Sequence, residues 1–218
     1  MAAAAVLGVV AGTCTGFLVQ AHRAPDQLPS LSQATLAQAK GNGPEPLSAA
    51  GDRAVKTDGD LRKLLLKKPS DARSTVTGPG DGWLDLADYA EEFTQPDVAF
   101  RYQIAQEFRR AAVAKWSQGT RNVEIALVQY RQEDTRGASD AATDAYYYGE
   151  RESHSHSWGI PGTGDGMVFV HDSRTAGGYQ AEAHAWRGDV AMAIWVYDSK
   201  PVTKKTIMDL AERQMGRL

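Results

Sequence analysis

Two side chains that could perform acid–base chemistry, Glu182 and His184, stand two positions apart in a stretch of alternating small and polar residues. Residues two apart on a strand share a face, so the carboxylate and the imidazole would lie side by side. Such a pair can transfer protons near neutral pH if it reaches a substrate. The sequence therefore offers one candidate site, with catalysis and ligand binding as its alternative uses.

This pair belongs to a predicted hairpin of strands 179–186 and 190–197, joined by Gly188 and Asp189. A two-residue Gly–Asp turn sets the register, which pairs Arg187 with Val190. One face, here called the alanine face, then has small residues opposite large ones: Ala181, Ala183, Ala185, Val196, Ile194 and Met192. The other, here called the aromatic face, is predicted to bind a ligand through Glu182, His184, Trp186, Trp195 and Tyr197.

The aromatic face has an alternative interpretation as a second core layer. A loop, the segment 84–93 or the segment 61–68 could cover it and exclude a ligand. If the face stays open, its aromatic rings can supply contact area to a ligand, and the acid and the imidazole can fix the orientation of that ligand. This combination suits an amphipathic or sugar-like ligand.

Other motifs give weaker indications of chemistry. His154 and His156 have the spacing of two metal ligands on an extended chain, but they lie in a Ser- and Gly-rich stretch typical of an exposed loop. The glycine-rich run 161–166 enters a predicted strand, whereas a phosphate-binding loop leaves a strand and opens a helix. The single cysteine, Cys14, excludes an intrachain disulfide. We therefore expect no metal site and no cofactor.

Hydrophobic periodicity predicts the elements that position these residues. Helices are predicted at 84–93, 98–117, 140–148 and 201–217, and strands at 122–130, 166–171, 179–186 and 190–197. This order, ααβαβββα, predicts an α+β fold of about four mainly antiparallel strands with helices packed on one face. The 201–217 helix is expected to cover the alanine face.

The first 21 residues form a predicted signal anchor or signal peptide. Residues 2–19 carry no charge, and a helix of that length spans about 27 Å, close to the hydrocarbon core of a bilayer. Arg23 follows the segment, which by the positive-inside rule alone would keep the body in the cytoplasm. Because the segment resembles an export signal, we expect the body outside, either held at the cell membrane by a single pass or secreted.

Residues 22–80 are predicted to be a linker, since they hold most of the nine prolines and no aromatic residue. Basic residues concentrate between positions 53 and 73. A short helix predicted at 61–68 could lie on anionic lipid or could dock its leucines on the body, which is the favoured interpretation. The folded domain is predicted to be 81–218, in which acidic residues outnumber basic ones. That balance, with a net charge of -3 for the chain, argues against nucleic acid as a partner.

Three motifs carry a resemblance to a known group of proteins. They are PGTGDG at 161–166, Ala181-Glu182-Ala183 with Arg187-Gly188-Asp189, and LAERQ at 210–214. The chain resembles exported or membrane-anchored actinobacterial proteins of unknown function, over roughly its last 135 residues and the anchor. More faintly, the order of elements is similar to that of extracytoplasmic sensor-type and small lipoprotein α/β domains. The resemblance implies an extracytoplasmic location and supplies no catalytic residue.

Together these observations predict a membrane-tethered extracytoplasmic domain that binds an unknown protein or envelope ligand without catalysis. One alternative is an envelope enzyme that uses Glu182 and His184 as an acid–imidazole pair. Another is a structural module for protein interaction, in which the sheet packs against a second protein.

Overall fold

The computed structural model describes residues 59–76, 81–132, 134–151 and 154–218. The predicted membrane segment 2–19 and Cys14 lie outside these residues. Within them, no helix combines the length and the hydropathy that crossing a membrane requires. The described part of the chain confirms the α+β class and the antiparallel sheet.

Eight strands and four α-helices make up the described fold, preceded by a 3₁₀ helix at Leu61–Leu64. The strands are β1 Arg73–Ser74, β2 Trp83–Leu84, β3 Phe108–Gln118, β4 Arg121–Tyr130, β5 Ser155–Gly159, β6 Met167–Thr175, β7 Gly178–Arg187 and β8 Val190–Asp198. The helices are α1 Leu86–Glu91, α2 Pro96–Ala105, α3 Gly137–Arg151 and α4 Lys204–Met215.

All strands pair antiparallel in one sheet of order β1-β3-β4-β8-β7-β6-β5, and β2 joins β1 on the outer edge of β3. The hairpin β7–β8 has the predicted register, since Arg187 pairs with Val190 and Ala183 with Ile194. Gly188 adopts a φ of 61° at the turn, a conformation that glycine reaches without strain. The turn chemistry therefore sets the register of the central strands.

The predicted helix 98–117 is wrong in its second half. The helix α2 ends at Ala105, Glu107 adopts a φ of 61°, and the long strand β3 begins at Phe108. The strand is apolar on both faces, because Ala111 and Ala112 are both fully buried on opposite sides of the sheet. A strand buried on both faces lacks an apolar/polar alternation, so its spacing resembled that of a helix.

Helices pack on both faces of the sheet, whereas the sequence predicts them on one. As expected, α4 covers the alanine face, where Ile207 and Ala211 are fully buried against the core of β7 and β8. The aromatic face is covered in part by α3, with Ala138 buried beside Tyr130, and by α1, with Tyr89. The sheet has more strands than predicted, so its second face is wide enough to need helices of its own.

The leucine-rich segment at the start of the described chain docks on the body. Leu61, Leu65 and Leu66 are buried in the core of the alanine face. Gln214 of α4 is fully buried and holds this segment through two hydrogen bonds, accepting from Leu66 N at 2.9 Å and donating to Leu64 O at 2.9 Å. The core therefore includes residues that precede Asp81, the predicted start of the folded domain. These leucines pack against the body of the protein, which is the favoured interpretation of the sequence.

Candidate functional site

The aromatic face of the sheet brings Glu182 together with two imidazoles. His184 Nε2 lies 3.0 Å from Glu182 Oε2, and His171 Nε2 lies 3.2 Å from Glu182 Oε1. His184 shares β7 with Glu182, while His171 comes from β6, one row along the same face. All three side chains are buried, with residue exposures of 4% for His184, 9% for Glu182 and 3% for His171. We call this cluster the His–Glu–His triad.

The triad favours the ionised form of Glu182. Burial alone would raise the pKa of this carboxyl group, but the hydrogen bonds from His171 and His184 and the charge of the two rings outweigh it. The pKa of Glu182 is lowered to about 2. Because an ionised carboxylate only accepts hydrogen bonds, both imidazoles donate to it through Nε2. Both carboxylate oxygens are therefore occupied at neutral pH.

Helix α3 closes over the triad, and it can do so because glycine occupies the contact point. A Cβ at Gly149 would lie 2.9 Å from Glu182 Oε1 and 3.0 Å from the ring of Phe169. At the other end of the helix, a Cβ at Gly137 would lie 2.6 Å from the ring of Tyr130. Two glycines thus let the helix backbone lie directly on the sheet. The element that covers the acid–imidazole pair is α3, not any of the segments considered from the sequence.

The three aromatic residues of the predicted site remain half-buried. Trp195 pairs across the strands with Glu182, as the register predicts, and its ring meets His184 edge-on with centroids 5.7 Å apart. Trp186 lies at the far end of β7, where its Nε1 donates to Asp165 at 3.2 Å. Tyr197 lies two residues beyond Trp195 on the same face. The predicted site therefore divides into a sealed acid–imidazole part and a partly accessible aromatic part.

A charged pair that the sequence analysis did not single out continues the same row of the sheet. Trp195 pairs with Glu124 of β4, and Glu124 pairs with Lys115 of β3. Lys115 Nζ lies 3.0 Å from Glu124 and 2.8 Å from Glu92. Burial raises the pKa of Glu124 despite the neighbouring ammonium group. Polar groups thus neighbour Trp195, which is half-buried, in the same row of the sheet.

Sequence reasoning missed the role of His171 in the triad. The signal was present, since alternation along β6 places His171 on the face of Phe169, and Phe169 pairs with Glu182. What the sequence lacked was the register of β6 against β7, because β6 itself contains a register shift between His171 and Thr175, just before its turn into β7. A short turn fixes the register of a hairpin only where both strands are regular, and extra residues inside one strand shift the pairing beyond them.

The remaining candidate residues do not assemble a metal site. His156 belongs to the edge strand β5, so the predicted exposed loop is wrong at this point, and its Nε2 lies 2.9 Å from Asp172. His154 precedes this strand with a φ of 63°. Among the described residues, no group of three or more His, Cys, Asp or Glu side chains has a geometry that could hold a metal ion.

Of three comparisons with known proteins, that with solved structures finds a similarity. No family model matches it. No curated protein matches it either. Among solved structures, it is similar to the extracellular domain of PknH from Mycobacterium tuberculosis, with 13% identity, a TM-score of 0.47, and coverage of 71% of this chain and 92% of that chain.

Proposed function

We propose that this protein is a membrane-tethered extracytoplasmic domain that binds a ligand without catalysing a reaction. The observation that carries the proposal is the sealing of the His–Glu–His triad under α3. The groups that could transfer protons have no open approach, while Trp195 and Tyr197 on the same face remain partly accessible. The tether rests on the uncharged segment 2–19.

The triad supports a structural role for Glu182 better than a catalytic one. A general base must reach the proton that it removes, and its pKa should lie near the working pH. Glu182 is buried, both of its oxygens accept hydrogen bonds, and its pKa is lowered to about 2. The envelope enzyme considered from the sequence would need α3 to move away, and the contact of Gly149 with the sheet opposes this.

A sugar-like ligand fits the accessible part of the aromatic face. An indole ring offers a flat apolar surface for the apolar side of a sugar ring, and neighbouring polar groups can bind its hydroxyl groups. Trp195 supplies the ring, and the pair of Lys115 and Glu124 lies in the same row of the sheet. The ring of Trp195 also packs edge-on against His184 of the triad. The proposed site is therefore Trp195 and Tyr197 with the Lys115–Glu124 pair.

A second candidate function, docking of another protein, is supported by apolar side chains elsewhere on the surface. The short helix α2 exposes Val98, Phe100 and Ile104, with 56% of Ile104 accessible. Isolated apolar residues on a surface are common, but three on a helix of this length favour contact with a partner. This surface is separate from Trp195, so the two candidates can be tested separately.

Calorimetric titration of the full chain with linear oligosaccharides tests the proposal. The probes are chitotetraose, cellotetraose and maltotetraose, each added to the wild-type chain and to Trp195→Ala. The matched control is Trp158→Ala, which removes a half-buried tryptophan that packs against the core of the alanine face. We expect at least one sugar to bind, and we expect Trp195→Ala alone to weaken it by more than about tenfold.

Two results would contradict the proposed site. One is the absence of binding for every oligosaccharide to the wild-type chain. The other is an equal affinity of the wild-type chain and Trp195→Ala for a sugar that does bind. Circular dichroism of each variant verifies that the fold is retained.

A further inference from the structure

A cavity on the opposite side of the sheet is not used by the proposed function. It has a volume of about 250 Å³ and lies between the segment that begins at Leu66, the adjoining ends of β3 and β4, and helix α4. None of its lining residues belongs to the aromatic face. It is larger than a cavity of about 150 Å³ that can hold benzene, and smaller than the pockets of about 300 Å³ and more that hold drug-sized ligands. Its size therefore suits a small organic molecule.

One side of this cavity is apolar. Trp116, Val123 and Leu66 line it and belong to the buried core, with Trp116 only 3% exposed. Leu210 of α4 lines it from the helix side and is partly buried against the same core. An apolar group that entered would displace water from these side chains, which is favourable by about 0.8 kcal/mol for each buried methylene. The lining thus favours a ligand with an alkyl or aryl body.

Basic side chains line the cavity beside this apolar side. Lys67 and Arg213 both line the cavity, and both are exposed. Among the residues that the structure describes, neither side chain has an ion-pair partner. Arg121 lines it too, although its Nε lies 3.2 Å from Asp198. The only acidic residue of the lining, Asp209, already pairs with Lys205.

We propose that this cavity binds a small organic anion, with the apolar body of the ligand against Trp116 and its charged group between Lys67 and Arg213. Two neighbouring cations without a counter-charge raise the local positive potential, and a bound anion relieves their repulsion. A cavity of about 150 Å³ holds benzene, which has six carbons, so by proportion a cavity of about 250 Å³ would hold a ligand of about eight to ten carbons. The ligand class is therefore a monoanion with one short chain or ring, since a lipid with two acyl chains exceeds the volume.

Octanoate is a suitable probe, because it combines an apolar chain of this size with one carboxylate. Isothermal titration calorimetry of the full chain compares octanoate with octan-1-ol, which keeps the chain without the charge, and with inorganic phosphate, which keeps the charge without the chain. We expect one octanoate to bind for each chain, and we expect the alcohol and phosphate to bind at least about tenfold more weakly.

Charge variants separate a local site from a general effect of net charge. Arg213→Gln and Lys67→Gln should each weaken octanoate binding by about tenfold. Arg101→Gln is the matched control, since it removes the same charge from an exposed position of α2, outside the cavity lining. It should leave the affinity within about twofold. Leu210→Trp fills the cavity and should abolish binding.

Each alternative result overturns the proposal. Octanoate that does not bind, or octan-1-ol that binds equally well, excludes an anion site. An Arg101→Gln effect as large as that of Arg213→Gln shows attraction by net charge alone. Binding that persists in folded Leu210→Trp places octanoate elsewhere. If circular dichroism shows that Leu210→Trp does not fold, the comparison of Arg213→Gln with Arg101→Gln still decides.

Discussion

Replacing the buried carboxylate of the His–Glu–His triad should reduce stability in a pH-dependent way. Glu182→Gln keeps the size of the side chain and removes the charge that His171 and His184 contact. The pKa of Glu182 is about 2, against 4.5 for the unperturbed group. A difference of this size, at 1.36 kcal/mol for each pKa unit, corresponds to about 3 kcal/mol of folding free energy. We expect Glu182→Gln to lose about that much at pH 7.

The sign of the pH dependence follows from the lowered pKa. The folded chain holds Glu182 ionised at a pH where the unfolded chain already binds a proton, so the contribution is complete above about pH 5. It decreases as the pH falls from 4.5 through the folded-state pKa of about 2. The wild-type chain should therefore lose stability more steeply than Glu182→Gln across this range.

Urea unfolding between pH 7 and pH 2, followed by tryptophan fluorescence, measures this difference. Glu150→Gln is the control, because it changes an exposed carboxylate of α3 that lies one residue from Gly149. The control should follow the wild-type profile. Parallel pH profiles for the wild-type chain and Glu182→Gln would refute the argument, because the triad would then contribute no ionisation-linked stability.

Three further substitutions test how the faces of the sheet are packed. Gly149→Ala should destabilise the fold by about 1–2 kcal/mol in urea unfolding, because the clash of the new methyl group with the sheet exceeds the gain in helix propensity. Gly164→Ala is the control, since Gly164 has open space around it, and it should change stability by less than about 1 kcal/mol. Gln214→Ala should cost about 2–4 kcal/mol, since it removes two hydrogen bonds and leaves a buried backbone N–H unsatisfied. Ala183→Asp should abolish the cooperative thermal transition, because it places a carboxylate under α4. Gln180→Asp changes a half-buried position on the other face and should still unfold cooperatively. Equal melting temperatures for the two variants would show that the faces are assigned the wrong way round.

The hairpin was predictable because a short turn and a side-chain pattern specified the same register. Gly188 and Asp189 permit one tight connection, and small alanines opposite large aliphatic residues identify the face under a helix. The C-terminal helix was predictable for a similar reason, since its apolar stripe matches that face. In both cases, residues within the element itself were sufficient to predict its position and the face that it buries.

The parts that could not be predicted depend on burial by distant elements. The strand β3 is buried on both faces, by α1 on one side and by the 3₁₀ helix at Leu61–Leu64 on the other, so its sequence shows no apolar/polar alternation. The cover of α3 over Glu182 depends on Gly149, and a single glycine near the end of a helical pattern more often marks a helix terminus. The docking of Leu61 and Leu65 requires a partner more than a hundred residues away, α4.

The unfolding free energy of Trp195→Ala, compared with that of Trp116→Ala, tests most directly whether the aromatic face is available to a ligand. Trp116 is 3% exposed, and its truncation should cost about 3–5 kcal/mol. Trp195 is half-buried, so the proposed site predicts a cost of less than about half of that in the same urea titration. An equal cost for the two substitutions would show that Trp195 belongs to a second core layer, and it would contradict the proposed binding site.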